Sequence, residues 1–152
     1  MKTNIMRRAF GFFSILVLFA SLFVSSVNAK ASDSVVFQIP FDFVVAGKTL
    51  PAGEYIVVRS TLASDEILSI RSLDKSGGAY VLTSTLRANE ILNDSKLVFN
   101  RYEDQYFLSE FWVSGQDSGR KVIKSDRERA LRRGLAKAGA KVEQVAIAAR
   151  HK

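Results

Sequence analysis

The chain has 152 residues, with 22 Lys and Arg against 15 Asp and Glu, one histidine and no cysteine. The absence of cysteine excludes a structural disulfide, a Cys-ligated metal and a lipid anchor on an N-terminal cysteine. The single histidine, His151, lies one residue from the end, where chains fray, which removes Ser-His-Asp and Cys-His nucleophile systems and nearly all zinc sites.

The first 29 residues carry the three-part pattern of a secretory signal peptide. Lys2, Arg7 and Arg8 form a basic start, and Ala9 to Val24 is apolar apart from two serines and a glycine. Val27 and Ala29 sit where a signal peptidase reads small side chains, so cleavage is expected before Lys30. The apolar run falls short of the roughly 20 residues a spanning helix needs. Residues 30–152 are then a single exported β domain with no transmembrane segment, in the periplasm or outside a bacterial cell. It keeps 19 basic and 15 acidic residues, so its net charge of +4 is smaller than the +7 of the whole chain.

Lys30 to Ser34 reads as a polar leader. From Phe37 to Val45 the odd positions are Phe, Ile, Phe, Phe and Val, a period of two that predicts a strand or strand pair over Val35–Val45 with one buried face. Pro40 has no N–H to give a ladder and belongs at an edge or a break. Leu50-Pro-Ala-Gly53 turns the chain into a second strand, Glu54–Arg59. It is apolar on both faces and therefore expected inside the sheet. Ser60–Asp65 is a loop. Glu66–Arg71 and Ala79–Leu86 are short strands joined by Leu73–Gly78, where two glycines are expected to supply positive φ. Arg87–Asp94 fits a helical turn or a loop. Lys96–Tyr102 and Gln105–Val113 form a hairpin turning at Glu103-Asp104, with Tyr102 opposite Gln105, Phe99 opposite Leu108 and Leu97 opposite Glu110.

After Ser114–Gly119 the pattern changes. Ser125-Asp-Arg-Glu128 is a capping box, and it predicts a helix from Asp126 to about Ala138, with Leu131 and Leu135 facing the sheet and Gly139 as its stop. Val142–Ala149 is a last short strand. Six or seven short strands and one late helix give a mainly β fold, an antiparallel β-sandwich or small barrel with one C-terminal α-helix and a short final strand.

The chemistry-bearing candidates are few. No glycine pattern matches a phosphate loop, and no cofactor or metal is expected. Glu110 is the one carboxylate that hairpin neighbours (Tyr106, Leu108, Trp112) are expected to desolvate, for a hydrolase or, more simply, an ion pair with a basic residue such as Arg101 or Arg71 or a place at the wet end of the strand. Tyr102, Tyr106, Phe107, Phe111 and Trp112 offer an apolar pocket, with Tyr106, Phe111 and Trp112 as its principal residues. Arg120, Lys121, Lys124, Arg127, Arg129, Arg132 and Arg133 make the densest basic segment, and Arg129, Arg132 and Arg133 are expected to line one side of the helix. An exported protein rarely meets nucleic acid, so the partner that fits is an anionic envelope surface or polymer.

Three stretches, Phe37 to Tyr55, Lys96 to Leu108 and Ser125 to Arg129, resemble a family of small, uncharacterised exported bacterial β proteins. These share the pattern F-x-x-P-F-D-F-x-V-x-G-K-x-L-P-A-G-x-Y, a K-L-V-F-x-R-Y-x-D-Q-Y-F-L hairpin and a basic S-x-R-E-R segment. A glycine commonly stands in that family's hairpin turn where this chain has Glu103. The resemblance implies an exported β domain and brings no catalytic residue with it. The expected role is non-enzymatic, as a binding or cell-envelope component; the alternative is a carrier of a small apolar ligand in an aromatic-lined pocket.

Overall fold

The computed structural model describes residues 34–59 and 66–150. The expected signal peptide, the Ser60–Asp65 loop and His151 lie outside the described residues. The strands are β1 (Ser34–Ile39), β2 (Phe43–Val45), β3 (Lys48–Leu50), β4 (Gly53–Arg59), β5 (Ile67–Ser72), β6 (Gly78–Arg87), β7 (Lys96–Tyr102), β8 (Gln105–Trp112), β9 (Ser118–Val122) and β10 (Glu143–Ala148). The helix α1 spans Asp126–Lys137, between β9 and β10.

The apolar alternation of Phe37–Val45 holds, but it serves two sheets. Pro40 ends β1, which pairs with β4; three residues later β2 pairs with β3 and, in parallel, with Phe107 and Tyr106 of β8. The proline sits at the break, where no ladder bond is lost. Ala46 and Gly47, with φ of 50° and 77°, make the two-residue reversal between β2 and β3. β4 lies between β1 and β5, in the interior position that its two apolar faces imply.

β6 bends the sheet. Gly78–Leu82 pairs with β5, and Thr83–Arg87 pairs with β9. Beyond β9 comes β8, whose opposite edge carries β7 and then β10. The two ends of this path meet where the Arg150 N–H donates to Val36 O at 3.1 Å, beside an Arg150–Glu54 ion pair. The ladder does not continue there, so the sheet curls without closing into a barrel, and the fold is sandwich-like.

The interior is filled with aromatic rings. Phe43 meets Tyr55 edge-on at 5.1 Å and Phe99 at 5.5 Å, while Phe37 does the same with Phe111 at 6.2 Å. Perpendicular rings at these separations place positive edges on negative faces, which adds to the burial itself. The Leu-Pro-Ala-Gly turn is tied from both sides. The Asp42 carboxylate accepts from the Ala52 N–H at 2.9 Å, and the Tyr55 hydroxyl donates to Pro51 O at 2.8 Å. The opening segment therefore does structural work, joining two sheets around one turn.

Three expectations are corrected by the structure. In Leu73–Gly78 the positive φ falls on Lys75 (64°), not on the glycines. Asp74 holds that turn through the Ser76 N–H at 2.8 Å, and Gly78 is needed because a Cβ would lie 2.6 Å from Ile70 O. In the β7–β8 hairpin Tyr102 faces Gln105 and Phe99 faces Leu108 as expected, but Leu97 faces Phe111 and not Glu110. Ser109 is inserted as a bulge, and it exchanges the faces of every later residue of β8. Glu110 and Trp112 consequently lie on the face opposite Leu108. The third is strand number: ten strands are present among the described residues, because β3 and β9 lack the apolar alternation that marks a strand. The segment Ala88–Asp94 is irregular, and Glu103 takes φ of 55°, the left-handed conformation that a glycine adopts freely.

Candidate functional site

The basic segment folds as α1. Ser125 caps it in an extended conformation, and its hydroxyl accepts from the Glu128 N–H at 3.2 Å. The C-terminus closes as a Schellman motif: Gly139, with φ of 71°, donates to Ala136 O, and Ala140 donates to Leu135 O at 3.0 Å. Leu131 and Leu135 rest, half-buried, on a small apolar cluster of Val44, Tyr102 and Phe107, separate from the main core.

The Glu128 carboxylate does more than the capping box requires. It is 3% exposed, and one oxygen, Oε1, accepts from Asn100 Nδ2 at 3.0 Å, the Tyr102 hydroxyl at 3.1 Å and Lys124 Nζ at 3.2 Å. A buried carboxylate is tolerable only when its lone pairs are met by donors and its charge by a cation, and Lys124 supplies the cation. Tyr102 registers the same environment: burial, then the adjacent Glu128 charge and hydrogen bond, push its hydroxyl up to about 12, with Arg132 opposing. Asn100 is steadied by Gln144 Nε2 at 3.4 Å. One turn of helix is thereby clamped to β7.

The clamp sorts the basic residues. Lys124 turns inward to Glu128. Arg120 faces the inner side of β9, buried, with Nη1 donating to Thr85 Oγ1 at 2.9 Å. Arg127 reaches Gln105 Oε1 at 2.5 Å, and Arg129 pairs with Asp126 at 2.6 Å while also donating to Lys124 O. Arg129, Arg132 and Arg133 are all exposed, spaced so that they share one side of the helix. Of the three expected site cations, Arg129 is half-committed to Asp126.

The aromatic candidates are not gathered at one place. Tyr106 stacks on Phe41 at 3.9 Å, with the Arg101 guanidinium 5.6 Å from its ring centre. Phe111 is fully buried in the main core. Trp112 lies on the other face of β8, over Gly119, where an added Cβ would come within 2.5 Å of the indole. Its Nε1 donates to the Glu110 carboxylate at 2.9 Å. That bond, not an ion pair with Arg101 or Arg71, satisfies Glu110. A hollow of about 460 Å³ does exist between the helix and the hairpin end, lined by Tyr102, Arg127, Leu131, Gly134 and Leu135 among others. It uses none of Tyr106, Phe111 and Trp112. No group of three or more His, Asp or Glu side chains among the described residues is placed to hold a metal.

Sequence reasoning assigned Glu128 a capping role and missed its buried one. The signal was available in β7, where Asn100 and Tyr102 alternate with core residues and give the helix-facing side of that strand a polar lining. The chain matches no family model, no curated protein and no solved structure.

Proposed function

We propose that the chain is an exported, non-enzymatic β domain that binds an acidic surface or polymer of the bacterial envelope through α1. The supporting observation is the Glu128 clamp. It neutralises the helix's buried acid against Lys124 and fixes the helix so that Arg129, Arg132 and Arg133 stand together in solvent. Fixed cations on a rigid element attract a polyanion without the ordering cost that a floppy basic tail incurs. Among the described residues no helix is long and apolar enough to cross a membrane.

The test is retention on anionic vesicles or acidic wall material as salt is raised. Binding should weaken steeply over a few tenths molar salt, as exposed charges are screened within about 10 Å at 0.1 M. The triple variant Arg129→Ala, Arg132→Ala, Arg133→Ala should lose it while keeping its unfolding transition. Equal retention of wild type and triple variant would sink this reading. A second reading, a carrier of a small apolar ligand, is favoured only by the hollow beside Leu131 and Leu135. A small molecule seen in the native mass spectrum of protein taken from the envelope would bring it forward.

A further inference from the structure

The helix covers only part of the outward face of the sheet. Beside its N-terminus three large apolar side chains stand in one row. Tyr80 and Leu82 are two apart on β6 and so share a face. Ile123 follows β9 directly, and its N–H donates to Leu82 O at 3.1 Å, which continues the β6–β9 register and sets Ile123 opposite Leu82. Tyr80 is 72% exposed, Leu82 56% and Ile123 55%. Apolar side chains exposed singly are ordinary; a row of three on a regular strand surface is a contact site waiting for an occupant.

The surrounding charges identify that occupant. Lys121, exposed, lies on the same face one step down the β9 strand, opposite Ser84. Arg71, also exposed, lies one pair along from Tyr80 on β5. Ile123 is two residues from the helix cap, so the row runs directly into the element carrying Arg129, Arg132 and Arg133. The acids nearby are Glu110, which faces Lys121 and holds the Trp112 indole, Glu66 before β5, and Asp126, which is paired with Arg129. A protein partner needs about 800 Å² and 20 to 30 residues a side, which three side chains do not supply. A soluble acidic polymer has no apolar phase to receive Leu82 and Ile123. A bilayer has both parts: aliphatic tips enter the acyl boundary, a tyrosine hydroxyl stays at headgroup level, and long cationic stems reach phosphate.

We infer that Tyr80, Leu82 and Ile123 insert into an anionic lipid bilayer while the cations of α1, Lys121 and Arg71 hold its headgroups. This rests on the proposed envelope-binding role and narrows its partner from any polyanion to a membrane.

The experiment is co-sedimentation of the protein, recovered after export, with vesicles of phosphatidylcholine alone or mixed equally with phosphatidylglycerol. Wild type should bind the anionic vesicles and keep a measurable fraction at about 0.5 M salt, where charge attraction alone is screened. The variant Tyr80→Thr, Leu82→Thr, Ile123→Thr retains strand-favouring residues and should keep the fold. Its partitioning should fall by roughly tenfold or more, and what remains should vanish with salt. Leu82→Lys with Ile123→Lys separates the forces further: a purely electrostatic contact would tighten, whereas insertion predicts weaker binding at high salt. Threonine or lysine variants that bind like wild type at both salts overturn the inference and leave the envelope-binding role standing. Wild type that ignores vesicles but is retained on acidic polymer does the same. Wild type that binds neither ends both.

Discussion

Two parts of this molecule are each tied together through a side-chain carboxylate, and they are held with very different security. In the opening segment Asp42 fastens the Ala52 N–H and Tyr55 fastens Pro51 O, and the rings around them belong to the main core: Phe43 and Tyr55 are fully buried or nearly so. Around α1 the carboxylate of Glu128 is buried, unlike that of Asp42, but its neighbourhood is thin. Leu131 and Leu135 are half-exposed, and the cluster beneath them is three residues. The Asp42 bond itself is exposed, but the Tyr55 ring beside it is embedded in the core, so that tie fails only when the core does. One that holds an exposed helix to the outside of a sheet can fail alone.

The largest way to test that difference is Phe43→Ala. Phe43 bridges Tyr55 and Phe99, and an emptied aromatic site in a core costs about 3–5 kcal/mol. The whole transition should move in denaturant unfolding followed by circular dichroism, helix and sheet together. A shift below about 1 kcal/mol would mean that the opening segment is not integrated with the core as its rings imply.

Glu128→Ala comes next. It leaves Asn100, Tyr102 and Lys124 facing a cavity without their acceptor, a loss of about 2–3 kcal/mol. The helix can come away from the sheet, so the global loss is capped by the cost of undocking it. Amide exchange over Asp126–Lys137 should therefore accelerate while the protection of β4 and β5 stays near wild type. Uniform acceleration across both regions would show that the clamp belongs to the global core.

Much of the opening segment could be read in advance, and the reason is physical. Phe37, Ile39, Phe43 and Tyr55 each occupy a position whose periodicity and neighbours demand burial, so local pattern and final packing agree. The region around the helix is different because its decisive features are non-local. Nothing in Gln105–Val113 marks Ser109 as an insertion, yet that one residue moves Glu110 and Trp112 to the face opposite Tyr106 and Leu108, and brings Phe111 into the core beside Leu108. The Glu110 acid assumed an unbroken alternation, whereas Phe111 and Trp112, adjacent on a strand, face opposite sides with or without the bulge. β9, with Gly119, Arg120 and Lys121, resembles a loop by composition; it is a strand because β6 and β8 each present it an edge, and because only glycine leaves room for the Trp112 ring. The helix itself was legible from Ser125, Leu131, Leu135 and Gly139. Its attachment was not, because a capping glutamate and a buried anchor are written with the same letter.

Alkaline pH should loosen the same attachment more gently. In the folded protein the Tyr102 hydroxyl is raised to about 12, against 10 for a solvated tyrosine, chiefly by burial and then by Glu128. Its neutral form is the one the fold prefers. The stability it contributes is complete below pH 10 and is lost as pH rises from there through about 12, when a phenolate would form beside the carboxylate. Tyrosinate absorbance should lag for Tyr102 and also for Tyr55, whose hydroxyl is raised first by burial, and helical dichroism should fall as the Tyr102 phenolate appears. In Tyr102→Phe that coupled step should be missing; an unchanged profile would place the alkaline sensitivity elsewhere.

The smallest effect is opposite in sign, and it isolates what limits the helix. Gly134 lies in mid-helix with an ordinary helical φ, so no strained backbone calls for glycine there. A Cβ at that position would meet nothing within 4 Å, because it would project into the hollow beside Leu131 and Leu135. This is unlike Gly78 and Gly119, where a methyl would strike Ile70 O at 2.6 Å or the Trp112 ring. Alanine is favoured over glycine inside a helix by about 1 kcal/mol, so Gly134→Ala should slow amide exchange within α1 by up to about fivefold. The opening segment should not respond, because its stability is set by packing and not by helix propensity. Slower exchange confined to the helix would identify α1 as a separately opening unit whose order is governed by its own backbone. An equal gain in β4 would instead join the two regions into one cooperative whole, and Glu128 would then be a tie within the core like Tyr55.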